Sequence, residues 1–429
     1  MDVLADARNL PFRDESFGHV YSYHVLARAH GDLSRKRAKL KIQKVMMIIR
    51  KHVVFVKNHY PVENDPRLCK LFKMLEGTGC FITYIGWDMG AATFVPKEQQ
   101  IKYKNHRDIV LRARAPATNT VKYLLFLPIW WFFVLRSLLS LKWDIVHVVN
   151  FSSVIPAIIA SKLKRGAVVY DVEDTFGDQM RRRLPYILTL PFIIVERLSM
   201  KFVDAVILVD ECQAEEFRGI PNSNVAVIYD SPAPLSSFVN ASEKEKGPFT
   251  IFYAGGLYKD RRLNLEAMIE AVSTIENVRV IFAGEGDLVK ELITAELKTN
   301  GKVQYIGYIP YNKVLEMTYK SDLLFSLRDP FPLVQKYICG SKFLEATMCG
   351  KPILVNKGTS TAIKVKEAGC GLVVDAHNVE ELRGAILKLM HDKTLLTTLS
   401  INSKKAYDQK YSWEIMKQKL LRLYSTILR

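Results

Sequence analysis

The stretch "YAGGLYKDRRLNLEAMIEA" (253–271) reads as a strand, a Gly-Gly turn, a basic loop and a helix. Glycine lets a backbone approach a phosphate closely, and the start of a following helix favours an anion. Lys259, Arg261 and Arg262 place cations beside that turn. The same pattern also serves as a plain tight connection between strand and helix. "GSKFLEATMCGKPILV" (340–355) puts Ser341 just ahead of a helix in which Lys342 and Glu345 are three apart and share a face. A cation at a helix start opposes the dipole, so Lys342 needs an anionic neighbour. A bound diphosphate would supply one, and a carboxylate such as Glu345 can accept two hydrogen bonds from a ribose diol. A Lys–Glu pair on the helix surface is the other reading. "AGEGDLVKEL" (283–292), with Gly284, Gly286 and Asp287, reads better as a structural turn. In "YIGYIPYNKVLEMTYKSDLLFSL" (305–327), Tyr308 either borders a nucleotide base or belongs to the core.

These segments need a scaffold, and the hydrophobic pattern supplies one. From about His52, short apolar runs alternate with helical stretches: 53–57, 81–87, 144–149, 167–172, 205–209 and 225–229. Such runs are typical of parallel strands covered on both faces. A Ser-, Pro- and charge-rich segment (231–248) reads as a linker, and a second alternation follows at 250–255, 278–284, 303–307, 323–327, 352–356 and 371–375. The expected fold class is α/β: two Rossmann-like, doubly wound domains facing each other across a cleft, with ligands at the carboxyl ends of the strands. The amphipathic stretch 411–428 is expected to dock across both halves.

The chain has 429 residues, 49% apolar and 24% charged, a globular composition that excludes disordered, collagen-like and disulfide-rich classes. Lys plus Arg number 61 against 44 Asp plus Glu, a net +17 that favours an anionic partner. Six scattered cysteines show neither a CxxC pair nor zinc spacing, so a thiol-reduced cytoplasmic chain without a metal is expected. The start lacks a basic-then-apolar signal, and export is not expected. The basic run "RKRAKLKIQK" (35–44) reads as a solvated connector, and nucleic acid is not expected as a partner.

The most apolar stretch is "YLLFLPIWWFFVLRSLLSL" (123–141), interrupted by Pro128 and ended as an apolar run by Arg136. Its 13 residues before Arg136 carry no charge but fall short of the roughly 20 that cross a bilayer. Either it is a buried core helix, or it lies in an anionic membrane surface through 122–142. In the second case Trp130 and Trp131 would sit at headgroup level and Lys122, Arg136 and Lys142 would attract lipid. A second apolar stretch, 186–198, follows Arg181, Arg182 and Arg183 and would extend that surface.

Taken in order, the Gly-rich turn with its basic loop, the "GEG" turn, "VQYIG" and "KFLEATMCGKP" resemble the C-terminal domain of the family 4 (group 1) retaining glycosyltransferases of GT-B architecture. "HYPVENDPRLCKLFKMLEGTGCFITYIGWD" (59–88), "DIVHVVN" (144–150) and "YDVED" (170–174) are similar to that family's N-terminal half, so the resemblance covers about 52–428. It implies domains at 52–235 (acceptor side) and 249–408 (nucleotide-sugar binding), with 409–429 crossing back. Residues 2–30 resemble a fragment of a class I S-adenosylmethionine-dependent methyltransferase and, with the connector up to residue 45, read as a remnant.

The resemblance also implies roles. Arg261, Lys342 and His147 would be catalytic. Gly255, Gly256, Arg261, Gly284, Tyr308, Ser341, Lys342 and Glu345 would bind the donor, with Arg261 and Lys342 on the diphosphate and Glu345 on the ribose. Asp65, Asn150 and Glu173 would line the acceptor side. Departures from the family pattern are Tyr337 in place of a first glutamate, Gly256 in place of a basic residue and Glu173 in place of a histidine. The implied reaction moves a sugar from a nucleotide-diphosphate sugar to an acceptor hydroxyl with retention, needing neither cofactor nor metal. It would act in cell-surface polysaccharide or glycolipid synthesis at the inner membrane face, with a lipid-linked acceptor. A nucleotide-sugar epimerase and a degenerate, non-catalytic GT-B module are the alternatives.

Overall fold

The structure, a computed structural model, describes residues 50–90, 105–113, 120–181, 184–233, 247–331 and 334–428. The methyltransferase-like segment, the basic connector, Arg182, Arg183 and linker residues 234–246 lie outside the described residues. So do the side chains of Lys122, Tyr123 and Arg181.

Seven strands form the first sheet: β1 (His52–Lys57), β2 (Phe81–Asp88), β3 (His106–Arg112), β4 (Ile145–Val149), β5 (Ala167–Val172), β6 (Ala205–Leu208) and β7 (Val225–Val227). Their order is β3-β2-β1-β4-β5-β6-β7. They pair in parallel from β3 to β5 and again between β6 and β7. Six strands form the second: β8 (Phe249–Ala254), β9 (Val278–Ala283), β10 (Val303–Tyr305), β11 (Leu323–Ser326), β12 (Ile353–Asn356) and β13 (Gly371–Val374). Their order is β10-β9-β8-β11-β12-β13, again parallel. Both orders reverse direction once, between β1 and β4 and between β8 and β11. In doubly wound sheets a ligand crevice opens at the carboxyl ends beside such a reversal.

By contacts the described chain divides into two compact units. One runs to Asp171 and takes in Phe202–Ala205 and the chain from Leu420; the other comprises Val172–Lys201 and Val206–Lys419.

Every residue of β4, β5 and β6 is buried, which is why their sequences are apolar runs without alternation. The strand β3 is the one the apolar pattern misses. "HRDIVLR" sits at the sheet edge, where His106, Arg107, Asp108 and Arg112 keep access to water. Local chemistry sets the helix starts. Asp65 caps Pro66–Glu76 by accepting from Leu68 N at 3.0 Å, with Pro66 in the first position where a missing N–H costs nothing. Thr359 and Asn378 cap the helices Ser360–Ala368 and Val379–His391 in the same way.

The Thr120–Ser140 helix corrects one expectation. Trp130 is fully buried, stacks on Trp87 at 5.6 Å and donates from Nε1 to Ser153 Oγ at 3.0 Å. Trp131 donates to the Ser152 carbonyl at 2.8 Å. These indoles fasten the helix to its own domain rather than standing at a headgroup boundary, because both N–H groups find partners inside. Among the described residues no helix is long and apolar enough to cross a membrane. All six cysteines are free thiols.

Candidate active site

The carboxyl ends of β8, β9 and β10 carry three loops laid backbone on backbone. Gly255 N donates to Ala283 O at 3.0 Å, Leu257 N to Glu285 O at 2.8 Å and Gly284 N to Gly307 O at 2.9 Å. Gly284 has φ +134°, and a methyl placed there would stand 1.9 Å from the Gly255 carbonyl oxygen. At Gly286, with φ +155°, the same methyl would meet Leu257 O at 2.0 Å. The "GEG" turn is therefore glycine for loop packing, as the structural reading of that segment expects. Gly284 lets the β8 loop settle against it.

Two cations converge on the Gly-Gly turn. A methyl on Gly256 would lie 3.0 Å from Arg261 Cζ, and one on Gly255 would lie 3.6 Å from Lys342 Cε. Arg261 ends the 3₁₀ turn Lys259–Arg261, its exposed guanidinium 5.6 Å from the Tyr258 ring centroid. The basic loop is held from several sides. Lys259 N donates to Asp287 Oδ1 at 2.8 Å, and Asn264 Nδ2 donates to Leu327 O and Asp329 Oδ1 at 2.6 and 2.8 Å. Arg262 and Asn264 both sit in the left-handed region, φ +44° and +50°. The sequence marks Asp287 only as a first-turn acid; it is a fastener for the loop that carries Arg261.

Lys342 comes from the helix Ser341–Met348, whose start at Gly340 has no side-chain cap, with Phe343 N donating back to Gly340 O at 3.1 Å. Its Nζ lies 2.6 Å from Glu345 Oε2, with the side chains only 11% and 5% exposed. The Lys–Glu pair is thus real but buried, not a surface pair. Ser341 is exposed at the helix start. Tyr308 is 66% exposed beside the Gly284 turn, so it is no core residue. Tyr253 escaped sequence reading: its hydroxyl is buried without a hydrogen-bond partner, 3.3 Å from the methyl position on Gly255. Its only signal was a strand tyrosine two residues before the turn. Among the described residues no cluster of His, Cys, Asp and Glu could hold a metal.

A carboxylate after β6 fixes the loop ahead of the Lys342 helix. Asp210 Oδ2 accepts from Cys339 N at 2.7 Å, and Oδ1 accepts from Cys212 N and Lys364 Nζ, each at 2.8 Å. Asp210 and Lys364 are both buried, and Ser360 Oγ donates to the same carboxylate. Nothing in the sequence pairs them, since they stand 154 positions apart.

In the first sheet, His147 on β4 is fully buried and stacks on Phe55. Its Nδ1 lies 2.6 Å from Tyr424 Oη and its Nε2 3.2 Å from Asp171 Oδ2. Arg67 donates to both Asp171 oxygens, at 3.0 and 2.9 Å. Burial holds the imidazole below its usual pKa, only partly opposed by Asp171. Burial would raise the Asp171 carboxyl, but Arg67 and then His147 outweigh it and bring it down to about 2. In this structure His147 has both nitrogens engaged inside the domain, which is the geometry of a frame rather than of a group touching substrate. Arg67 and Tyr424 are the partners the sequence did not reveal. Asp65 is likewise buried, capping its helix and paired with Lys57. Asn150, at φ +64° after β4, and Glu173, after β5, are partly exposed at strand carboxyl ends.

Comparison with known proteins agrees with this arrangement. Residues 237–406 match the family model of the glycosyl transferases group 1, and residues 86–230 match that of Glycosyltransferase Family 4. Between them the two matched stretches cover most of the chain, and both models describe glycosyltransferases. It is 25% identical over 251 residues to the N,N'-diacetylbacillosaminyl-diphospho-undecaprenol alpha-1,3-N-acetylgalactosaminyltransferase of Campylobacter jejuni, a match covering 54% of this chain and 63% of that one. An uncharacterised glycosyltransferase of Methanocaldococcus jannaschii matches at 24% over 251 residues, 54% of this chain and 62% of its own length. The chain thus spans just under two thirds of these curated relatives. Among solved structures, Anabaena HepE in complex with UDP superposes with a TM-score of 0.65 at 16% identity, covering 88% of this chain and 100% of that one. That likeness gives the fold class, GT-B.

Proposed function

We propose that this chain transfers a sugar from a nucleotide-diphosphate sugar to an acceptor hydroxyl with retention at the anomeric carbon. The observation that carries the proposal is the convergence of Arg261 and Lys342 on the Gly255–Gly256 turn at the carboxyl end of β8. As the glycosidic bond to the donor breaks, negative charge collects on the departing diphosphate. Fixed cations and helix-start amides around it are then the main catalytic demand. Arg261 is free to fold over a diphosphate seated on the turn, while Lys342, held by Glu345, supplies a fixed charge from below. Ser341 and the uncapped helix start add donors, Glu345 takes the ribose, and Tyr308 borders the base. In this reading the positive charge comes from the protein itself, without a metal.

Two relatives support the donor class and the acceptor. HepE is solved with UDP and with UDP-glucose, and the Campylobacter relative is named for a diphospho-undecaprenol substrate. We extend these to a nucleotide-sugar donor and a lipid-linked acceptor handled at the inner membrane face, in polysaccharide or glycolipid synthesis. Asn150, Glu173 and Asp65 are the acceptor-side groups in this proposal, with His147 on β4, through Asp171 on β5, holding together the strand ends that carry the first two.

The test is a panel of nucleotide sugars offered with a polyprenyl-diphosphate-linked sugar, with products followed by mass spectrometry and anomeric configuration by NMR. A glycosylated lipid product with retained configuration is expected. An epimerised free nucleotide sugar formed without acceptor, or no product from any donor, would overturn the proposal.

A further inference from the structure

The Thr120–Ser140 helix turns its tryptophans inward and something else outward. Leu125, Ile129, Phe132 and Leu139 are 70%, 51%, 66% and 38% exposed. Their spacing of four, three and seven puts them on one stripe, with exposed Arg136 completing it. The neighbouring Val154–Lys164 helix, tied on by Trp130 and Trp131, exposes Ile159 and Leu163, four apart, and Lys164 Nζ donates to the Leu141 carbonyl. Around these apolar side chains stand Lys142, Lys162, Lys164 and Arg165, all exposed. Residues 120–143 and 151–166 contain six Lys or Arg and no Asp or Glu. Single exposed apolar residues are ordinary; a continuous stripe within a purely cationic rim is not.

We infer that the outer face of this helix pair docks on an anionic lipid surface, with Leu125, Ile129 and Phe132 entering the acyl boundary and the cations meeting headgroup phosphates. Charge complementarity selects lipid over a second copy of the chain, because two such faces would bring cations against cations. Arg136 remains compatible with burial of the stripe, since its stem lies on apolar surface while the guanidinium reaches the headgroups. This deepens the membrane-side reading proposed above.

The experiment is co-sedimentation of the full chain with phosphatidylethanolamine–phosphatidylglycerol vesicles and with phosphatidylcholine vesicles, alongside nucleotide binding by thermal shift with UDP and GDP. Retention on the anionic vesicles at low salt is expected, with little on phosphatidylcholine. Leu125→Asp with Phe132→Asp should lower retention roughly hundredfold, about tenfold per apolar side chain withheld from lipid. Lys162→Glu with Arg165→Glu should lower it several-fold and weaken its salt dependence. Neither pair should alter the nucleotide shift. Equal retention of the Asp variant, equal binding to phosphatidylcholine, or a dimer that this variant converts to monomer would overturn the assignment. Loss of nucleotide binding by the wild-type chain with vesicle retention intact would strike the glycosyltransferase reading and leave the docking face standing.

Discussion

Arg261 and Lys342 reach the same turn but are held differently, and their substitutions should separate accordingly. Arg261 is exposed and its guanidinium rests on the Tyr258 ring, so Arg261→Ala should leave stability near wild type while weakening diphosphate binding. Lys342 neutralises Glu345 in a nearly dry position. Lys342→Ala strands that carboxylate and should destabilise the domain by about 3 kcal/mol, read in a urea titration. A midpoint unchanged from wild type would contradict the buried-pair account. Gly284→Ala tests the loop packing: with a positive φ and a carbonyl oxygen 1.9 Å from the new methyl, it should cost about 3 kcal/mol or more. Normal expression and an unshifted melting temperature would contradict it. At this scale the sequence was informative where residue type is itself the chemistry. The glycine pair, the Lys–Glu spacing and the basic loop read from the sequence come together at the carboxyl end of β8. It could not show that Lys342 and Glu345 are buried, or that His147 is enclosed, because burial is decided by elements far away in the chain.

Among elements, the seven- and six-stranded sheets were legible as apolar runs, and the miss at β3 has a physical reason. An edge strand keeps polar residues, so its run of apolar character is broken. Long-range clamps were not legible at all. Asp210 accepts from Cys339 N, Cys212 N and Lys364 in a buried setting, so it both fixes the loop before the Lys342 helix and neutralises an ammonium. Asp210→Asn keeps the shape but leaves Lys364 only the half-exposed carboxylate of Glu211, 3.5 Å away, and a loss of about 3 kcal/mol is expected, read as a lower urea midpoint. Stability equal to wild type would show that the clamp is slack. The Arg67–Asp171–His147 set predicts an acid response. Asp171 is ionised in the fold down to about 2, below its ordinary value of 3.8, so its contribution is present above that value and is lost as pH falls between the two. The size is on the order of 2 kcal/mol. His147, held neutral by burial, adds a loss that begins as pH drops below 6.5, where the unfolded chain takes up the proton first. Urea midpoints across this range should fall less steeply in Asp171→Asn than in the wild type. Identical acid profiles would contradict the assignment.

For the whole molecule, net charge alone named only an anionic partner, and the structure gathers cations in two places. Some gather at the strand ends of the second sheet, where Arg261 and Lys342 flank a glycine turn; others rim the apolar stripe of the Thr120–Ser140 helix. The aromatic density of that helix was visible in the sequence, yet its orientation was not, because only packing against Trp87 and the 151–153 turn decides which face points out. The family match places these features in a glycosyltransferase frame, and the central claim is that the second sheet grips a diphosphate at Gly255–Gly256. Isothermal titration of UDP, GDP and their monophosphates into wild type and Arg261→Ala tests it most directly. The expected result is that at least one diphosphate binds well above its monophosphate, and that Arg261→Ala lowers diphosphate affinity roughly thirtyfold, about 2 kcal/mol for one charge-assisted contact, with the monophosphate little changed. Equal binding of mono- and diphosphate by the wild type, or an Arg261→Ala chain that binds diphosphate as tightly as the wild type, would contradict it.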